Sequence, residues 1–185
     1  MIKEILKDAE SRMHHSIEVL KTDLAGIRTG RANPALVEKL QVEYYGAETP
    51  LMQLASISVP EPRQLLVKPF DPTSLKAIEK AILASDLGLN PNNDGKQLRL
   101  NLPPLNEERR RDLVKHVHSR LEESRVAVRN VRRDAMKDMK DAVTEKLCSE
   151  DDHKRGEQEL EKIVERQMLD IEKAGQSKEA EIMEV

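Results

Sequence analysis

The chain has 185 residues and a formal net charge of -3, with 35% charged residues, 38% hydrophobic ones and only 2% aromatic, and it contains no Trp. That length supports one or two domains with their own cores, but so few rings exclude a thick aromatic core, and narrow apolar stripes on elongated helices fit the composition better. Sustained apolar periodicity excludes a disordered chain, no stretch nears the ~18 to 20 apolar residues of a membrane span, and the single Cys148 has no intramolecular disulfide partner. The N-terminal segment MIKEILKDAESRMHH carries charges where a signal peptide needs an apolar stretch, and no transit peptide is legible, so a cytoplasmic location is expected.

From Met1 to about Thr29, the residues Ile2, Leu6, Ala9, Met13, Leu20, Leu24 and Ile27 recur mostly at steps of three and four or their sums, the pattern of an amphipathic helix. Gly30 supplies a stop and Pro34 blocks continuation, which predicts a helix end near RTGRANP. The next segments change period. LQVEYYG alternates Leu40, Val42 and Tyr44 on one side, and SISVPEP and QLLVKPF read as short strands broken by prolines. DPTSLKAIEKAILASDLG reads as one helix with Asp71 as cap, Pro72 in the first turn, Leu75, Ile78 and Ile82 inward, and Gly88 at the end. After a turn at NPNNDG, KQLRLNL alternates again as a final strand.

PPLNEERRRD opens a further helix with Asn106 as cap. Its stripe of Val114, Val117, Leu121, Ser124, Val128, Val131 and Ala135 steps three and four alternately, a heptad seam that continues to Met139, Val143 and Leu147. SEDD, from Ser149 to Asp152, caps and starts a third long helix burying Leu160, Ile163, Val164, Met168, Ile171 and Ile182.

Three long amphipathic helices bury their stripes most economically on one another. The expected fold is therefore α+β: an antiparallel three-helix bundle from residues 1–30 and 105–185, with a small mixed α/β domain inserted at 31–104. Two chain crossings join them, with Gly30 on one and Pro103 and Pro104 on the other. These three residues either form a hinge or merely terminate helices.

An enzyme reading finds little support. The five histidines, His14, His15, His116, His118 and His153, show no metal-ligand spacing, and there is neither a phosphate-cradling Gly-rich loop nor a nucleophile elbow. Charge distribution is more informative. From Arg125 to Lys140 six basic residues face two acidic ones, a formal +4, whereas Ser149 to Val185 holds six basic and twelve acidic ones, a formal -6. Arg125, Arg129, Arg132 and Arg133 stand at i, i+4, i+7 and i+8, on one flank beside the Val128 and Val131 seam. Arginine forks grip phosphate bidentately, so this flank suits an RNA or DNA backbone. Alternatively, the arginines pair with acidic residues of the third helix such as Glu161 or Glu165, in a helical adaptor with a protein partner.

The segments KDAESRM, IRTGRANP, EYYG, TPLMQLAS, IEKAILASDLGLNP, LPPLNEERRRDL and RVAVRNVRRDA together resemble bacterial ribosome recycling factor, in order and through nearly the whole chain. The resemblance implies an L-shaped molecule, the bundle as long arm and a β/α/β domain as short arm. It further implies a non-enzymatic, monomeric translation factor that lies on large-subunit ribosomal RNA of the post-termination ribosome. With elongation factor G it would split the ribosome into subunits, releasing mRNA and tRNA. GTP would be hydrolysed by that partner, and no cofactor or membrane contact is expected for this chain. Carried over by motif, the RNA-facing residues are Arg28 and Arg31 in IRTGRANP, Arg110 in EERRRD, and Arg129, Arg132 and Arg133 in RNVRRDA, with Arg132 foremost.

Overall fold

The computed structural model describes residues 1–184. It is mostly helical with a small antiparallel sheet domain. Helix α1 spans Ile2–Ala25 and buries Leu6, Ala9, Met13, Ile17, Leu20 and Leu24 along one stripe. It ends four residues before Thr29. The next residue is Gly26, among the poorest helix formers, and the buried Ile27 lies beyond the helix.

Helices α4 (Glu107–Thr144) and α5 (Glu150–Met183) carry the other two long stripes. Asn106 caps α4 by accepting from the Arg109 amide at 2.7 Å. Ser149 and Asp152 form a reciprocal box at the start of α5: the Asp152 amide donates to Ser149 Oγ at 3.1 Å, and the Ser149 amide donates to Asp152 Oδ2 at 3.3 Å. The α4 seam buries Leu113, Val117, Leu121, Ser124, Val128, Val131, Ala135, Met139 and Ala142. Val114 and Val143, expected in that seam, are half-buried, and Leu147 lies exposed beyond the helix end. Likewise α5 buries Leu160, Ile163, Gln167, Ile171, Lys178 and Ile182, while Val164 and Met168 are half-buried. At these places the buried position is the neighbouring residue, because 3.6 residues per turn leaves two adjacent positions near each contact.

Two glycines show how closely the helices approach. A Cβ built on Gly175 would lie 2.3 Å from Leu121 Cδ1, and one on Gly156 would lie 2.8 Å from Ile2 Cγ2 and 2.9 Å from Met139 Sδ. The pairs Leu121/Gly175 and Met139/Gly156 run in opposite senses, so α4 and α5 are antiparallel. Ile2/Gly156 and the Glu10–Arg166 ion pair at 3.7 Å run in the same sense, so α1 and α5 are parallel. The result is an antiparallel three-helix bundle.

In the mixed region, strand β1 (Gln41–Tyr44) pairs with β2 (Ala47–Pro50), a strand not anticipated from the sequence, across a tight turn. Tyr45 and Gly46 there have φ of 50° and 78°, the left-handed pair that a two-residue hairpin turn requires. A one-turn helix α2 (Leu51–Leu54), also unanticipated, leads into a four-stranded antiparallel sheet. Its strands are β3 (Ala55–Glu61), β4 (Gln64–Pro69), β5 (Pro91–Asn93) and β6 (Leu98–Asn101), in the order β3-β4-β6-β5. The expected NPNNDG turn is thus partly strand. Pro91 to Asn93 pair with β6, because Pro at an outer strand gives up no ladder bond that the sheet needs, and the turn itself is confined to the residues that follow.

The expected single helix after β4 is a 3-10 turn, Pro72–Ser74, followed by α3 (Leu75–Ala84), which ends at Ser85 rather than at Gly88. Asp71 caps the turn, its Oδ1 accepting from the Thr73 amide at 2.9 Å. Leu75, Ile78 and Ile82 of α3 pack with Leu65, Val67, Leu98 and Leu100 of the sheet and with Val42 and Leu51. By compactness the chain divides into two units: Met1–Leu24 with Val114–Ala180, and Ala25–Leu113 with the residues from Glu181 onward.

Candidate nucleic-acid interface

In the bundle unit, α4 is anchored by Val128 and Val131, which are fully or nearly buried, and this fixes which way the flanking arginines project. The forks are already engaged. Arg125 Nη1 and Arg129 Nη1 each donate to a different oxygen of Glu122, both at 3.2 Å. Arg132 presents one guanidinium edge to Glu161 on α5, with Nε at 2.7 Å and Nη2 at 2.5 Å from the same Oε1. Arg133 donates to the side-chain oxygen of Asn130. The hydrogen bonds from Arg125 and then Arg129 hold the Glu122 carboxyl below the usual carboxylate range.

These pairs lie at the surface: Arg129 is 57% exposed, Glu122 56% and Glu161 53%. Solvated pairs of this kind contribute little to stability, so the arginines are only loosely tied to their carboxylates. The Arg132–Glu161 pair is the one that the pairing alternative named. Glu165 forms no ion pair with them, and Glu122, shared by two arginines, is a partner that the sequence reading did not include. Its signal was there: Glu122 stands three residues before Arg125 and seven before Arg129, both helix-facing spacings.

The second unit holds Arg28, Arg31 and Arg110. Arg28 donates through Nη2 to the carbonyl of Pro103. Burial first, and the neighbouring Arg109 cation second, lower its pKa from the ordinary guanidinium value. The Nε atoms of Arg28 and Arg110 are buried without a hydrogen-bond partner in the protein. Arg31 is more exposed; its Nη2 meets Glu184 Oε1 at 3.0 Å, and its amide donates to Thr29 Oγ1 at 3.2 Å. Of the hinge candidates, Gly30 lies beside the Glu184 carbonyl, with a built Cβ 3.9 Å away, and Pro103 and Pro104 line a groove of about 720 Å³ with Pro62, Arg63 and Gln64.

Other chemistry finds no constellation here. Among the described residues no group of three or more His, Cys, Asp or Glu is placed to hold a metal ion, and no helix is long and apolar enough to cross a membrane. His14 and His153 face Glu18 and Glu157 one turn away on their own helices, at 3.9 and 3.5 Å. Cys148 is half-buried and free.

Comparison with known proteins gives a uniform answer. The profile of the family described as ribosome recycling factor matches residues 20–183. The ribosome-recycling factor of Thermomicrobium roseum is 55% identical over 185 residues, and that of Syntrophomonas wolfei 54%, each alignment covering both chains completely. Among solved structures, a ribosome recycling factor in solution superposes with a TM-score of 0.78 at 44% identity, covering 100% of this chain and 98% of the other. A second, from Thermus thermophilus (T. thermophilus), has a TM-score of 0.69 at 50% identity with both chains covered completely; it is described as bound, with elongation factor G from E. coli, to the E. coli post-termination complex.

Proposed function

This chain belongs to the ribosome recycling factor family, and from that premise we propose that it dissociates the post-termination ribosome into subunits together with elongation factor G and GTP, releasing mRNA and tRNA for a new round of initiation. The relative described with elongation factor G on a post-termination complex supports these partners. The reading takes the protein as a monomeric cytoplasmic factor and not an enzyme. GTP is bound and hydrolysed by elongation factor G, so this chain needs no cofactor.

The observation that carries an RNA contact is the arginine flank of α4, where Arg129, Arg132 and Arg133 project from a rigidly seated helix and are restrained only by solvated partners. These residues, with Arg28, Arg31 and Arg110 of the second unit, would face phosphates of the large-subunit RNA. A helix held by phosphate contacts transmits a push, and a hinge at Gly30, Pro103 and Pro104 would let the mixed domain receive one from elongation factor G.

The decisive experiment is co-sedimentation of the wild type and Arg132→Glu with empty ribosomes over a salt series, each protein checked by circular dichroism. Wild type should bind with an affinity that falls with salt by about 0.7 to 0.9 log units per log unit of salt for each phosphate neutralised, and folded Arg132→Glu should bind far more weakly. The Arg132–Glu161 pair gives the alternative its specific footing: were the variant mainly unfolded, the arginine would be a bundle strut.

A further inference from the structure

In the arginine flank, three of the four guanidinium groups are paired with a carboxylate. The two oxygens of Glu122 are divided between Arg125 and Arg129, and Glu161 takes a whole edge of Arg132. Four arginines with two interleaved carboxylates carry a formal +2 where the arginines alone would carry +4. All these groups are at least partly solvated, so the carboxylates contribute little to holding the bundle together. Their effect falls on whatever anion approaches.

We propose that Glu122 and Glu161 are specificity-determining residues: they compete with phosphate for Arg125, Arg129 and Arg132, and so suppress binding to RNA that does not fit the flank. This rests on the reading that the flank meets an RNA backbone. A polyanion in casual contact meets arginines whose charge is partly neutralised, and the neighbouring carboxylate remains alongside to repel it. An RNA surface shaped to the flank reaches several forks at once and retains its gain. Sequence-independent attraction, set largely by net local charge, is thereby reduced more than shaped docking. The discrimination comes from like-charge juxtaposition against the wrong partner.

The test compares wild type, Glu122→Gln and Glu161→Gln, with Glu165→Gln as a control on α5 that forms no ion pair with the flank. Binding of an unrelated RNA duplex is followed by fluorescence anisotropy over a salt series, and ribosome binding by co-sedimentation, with circular dichroism to check folding. Glu122→Gln, which releases two arginines, should bind the unrelated duplex about three- to tenfold more tightly. Its salt dependence should steepen by about 0.7 to 0.9 for each arginine that gains a phosphate. Glu161→Gln should show a smaller gain, Glu165→Gln none, and the preference for ribosomes over the duplex should fall in the first two. Duplex binding equal to or weaker than wild type in both variants would overturn the proposal and make the carboxylates props that hold the forks in place. If wild type failed to bind ribosomes, the recycling reading would fall, while the duplex series would still decide whether the carboxylates compete with RNA phosphate.

Discussion

At the scale of the residue, two of the carboxyl groups whose pKa is lowered do different things. Glu122 is held ionised by arginines at the surface, whereas Asp71 is built into the backbone. Its Oδ1 accepts from the Thr73 hydroxyl at 2.7 Å and the Thr73 amide at 2.9 Å, and its Oδ2 accepts from the Tyr44 hydroxyl at 2.8 Å. These bonds, those from Thr73 foremost, lower the pKa of Asp71, and the bond to Asp71 is the first cause that raises Tyr44 to about 12. The two shifts act at opposite ends of the pH scale. Asp71, with its folded pKa depressed, contributes stability that is present above its unfolded value near 3.9 and lost as pH falls through the folded value. Tyr44, raised, contributes stability that is complete below about 10 and lost as pH rises towards about 12. The chain has two Tyr and no Trp, so tyrosinate absorbance reads this directly in a Tyr45→Phe background. The midpoint should lie near 12, and adding Asp71→Asn should bring it towards about 10. An unchanged midpoint would mean that the bond to Asp71 does not set the titration.

At the scale of the element, what the sequence disclosed depended on how much physics was local. The caps at Asn106, Asp71 and Ser149 were legible because capping is a contact over two or three residues, and each is made. The seam of α4 was legible to within one position. Strands β2 and β5 were not, since one is AETP and the other PNN, and neither has the β-branched alternation by which strands are recognised; only pairing with β1 and β6 makes them strands. The glycines of α5 were invisible for a related reason: their use is visible only with the opposing helix in place. Gly175→Ala should gain about 1 kcal/mol of helix propensity but force a Cβ into Leu121, whose Cδ1, Cδ2 and Cγ all fall within 3.2 Å of it. Overpacking of that kind costs about 1 to 3 kcal/mol, so the net effect should be a lower melting temperature. Gly156→Ala meets the ends of Ile2 and Met139, which move aside more easily, and should cost less. Thermal denaturation of the two variants decides it; a Gly175→Ala protein more stable than wild type would show that Leu121 swings clear.

At the scale of the whole molecule, each compact unit has its own hydrophobic interior. The bundle unit is centred on residues such as Met13, Ile17, Val128, Met139 and Leu160, and the mixed unit on Leu65, Val67, Ile78, Leu98 and Leu100, all nearly or wholly buried. In the sequence, the apolar period changes after the first helix and changes back before the second long one. Separate cores predict separable stabilities. Leu65 is fully buried in β4 and belongs to the mixed core alone, so Leu65→Ala should remove about 2 to 5 kcal/mol from that unit. The helical signal comes mainly from α1, α4 and α5, with 24, 38 and 34 residues, against 10 in α3. Circular dichroism at 222 nm should therefore show an early transition of small amplitude as the mixed unit melts, followed by a large one at the wild-type temperature. A single transition, shifted as a whole, would mean that the units unfold together despite their separate cores. Helix α4 is the physical reason to take that outcome seriously. It runs unbroken through the boundary between Leu113 and Val114, so its first two turns are carried by one unit and the rest by the other. Helix formation is cooperative along a segment, but a long helix frays from its end at modest cost once tertiary contacts there are lost. The seven residues from Glu107 to Leu113 should accordingly melt with the mixed unit and leave the remaining turns seated in the bundle.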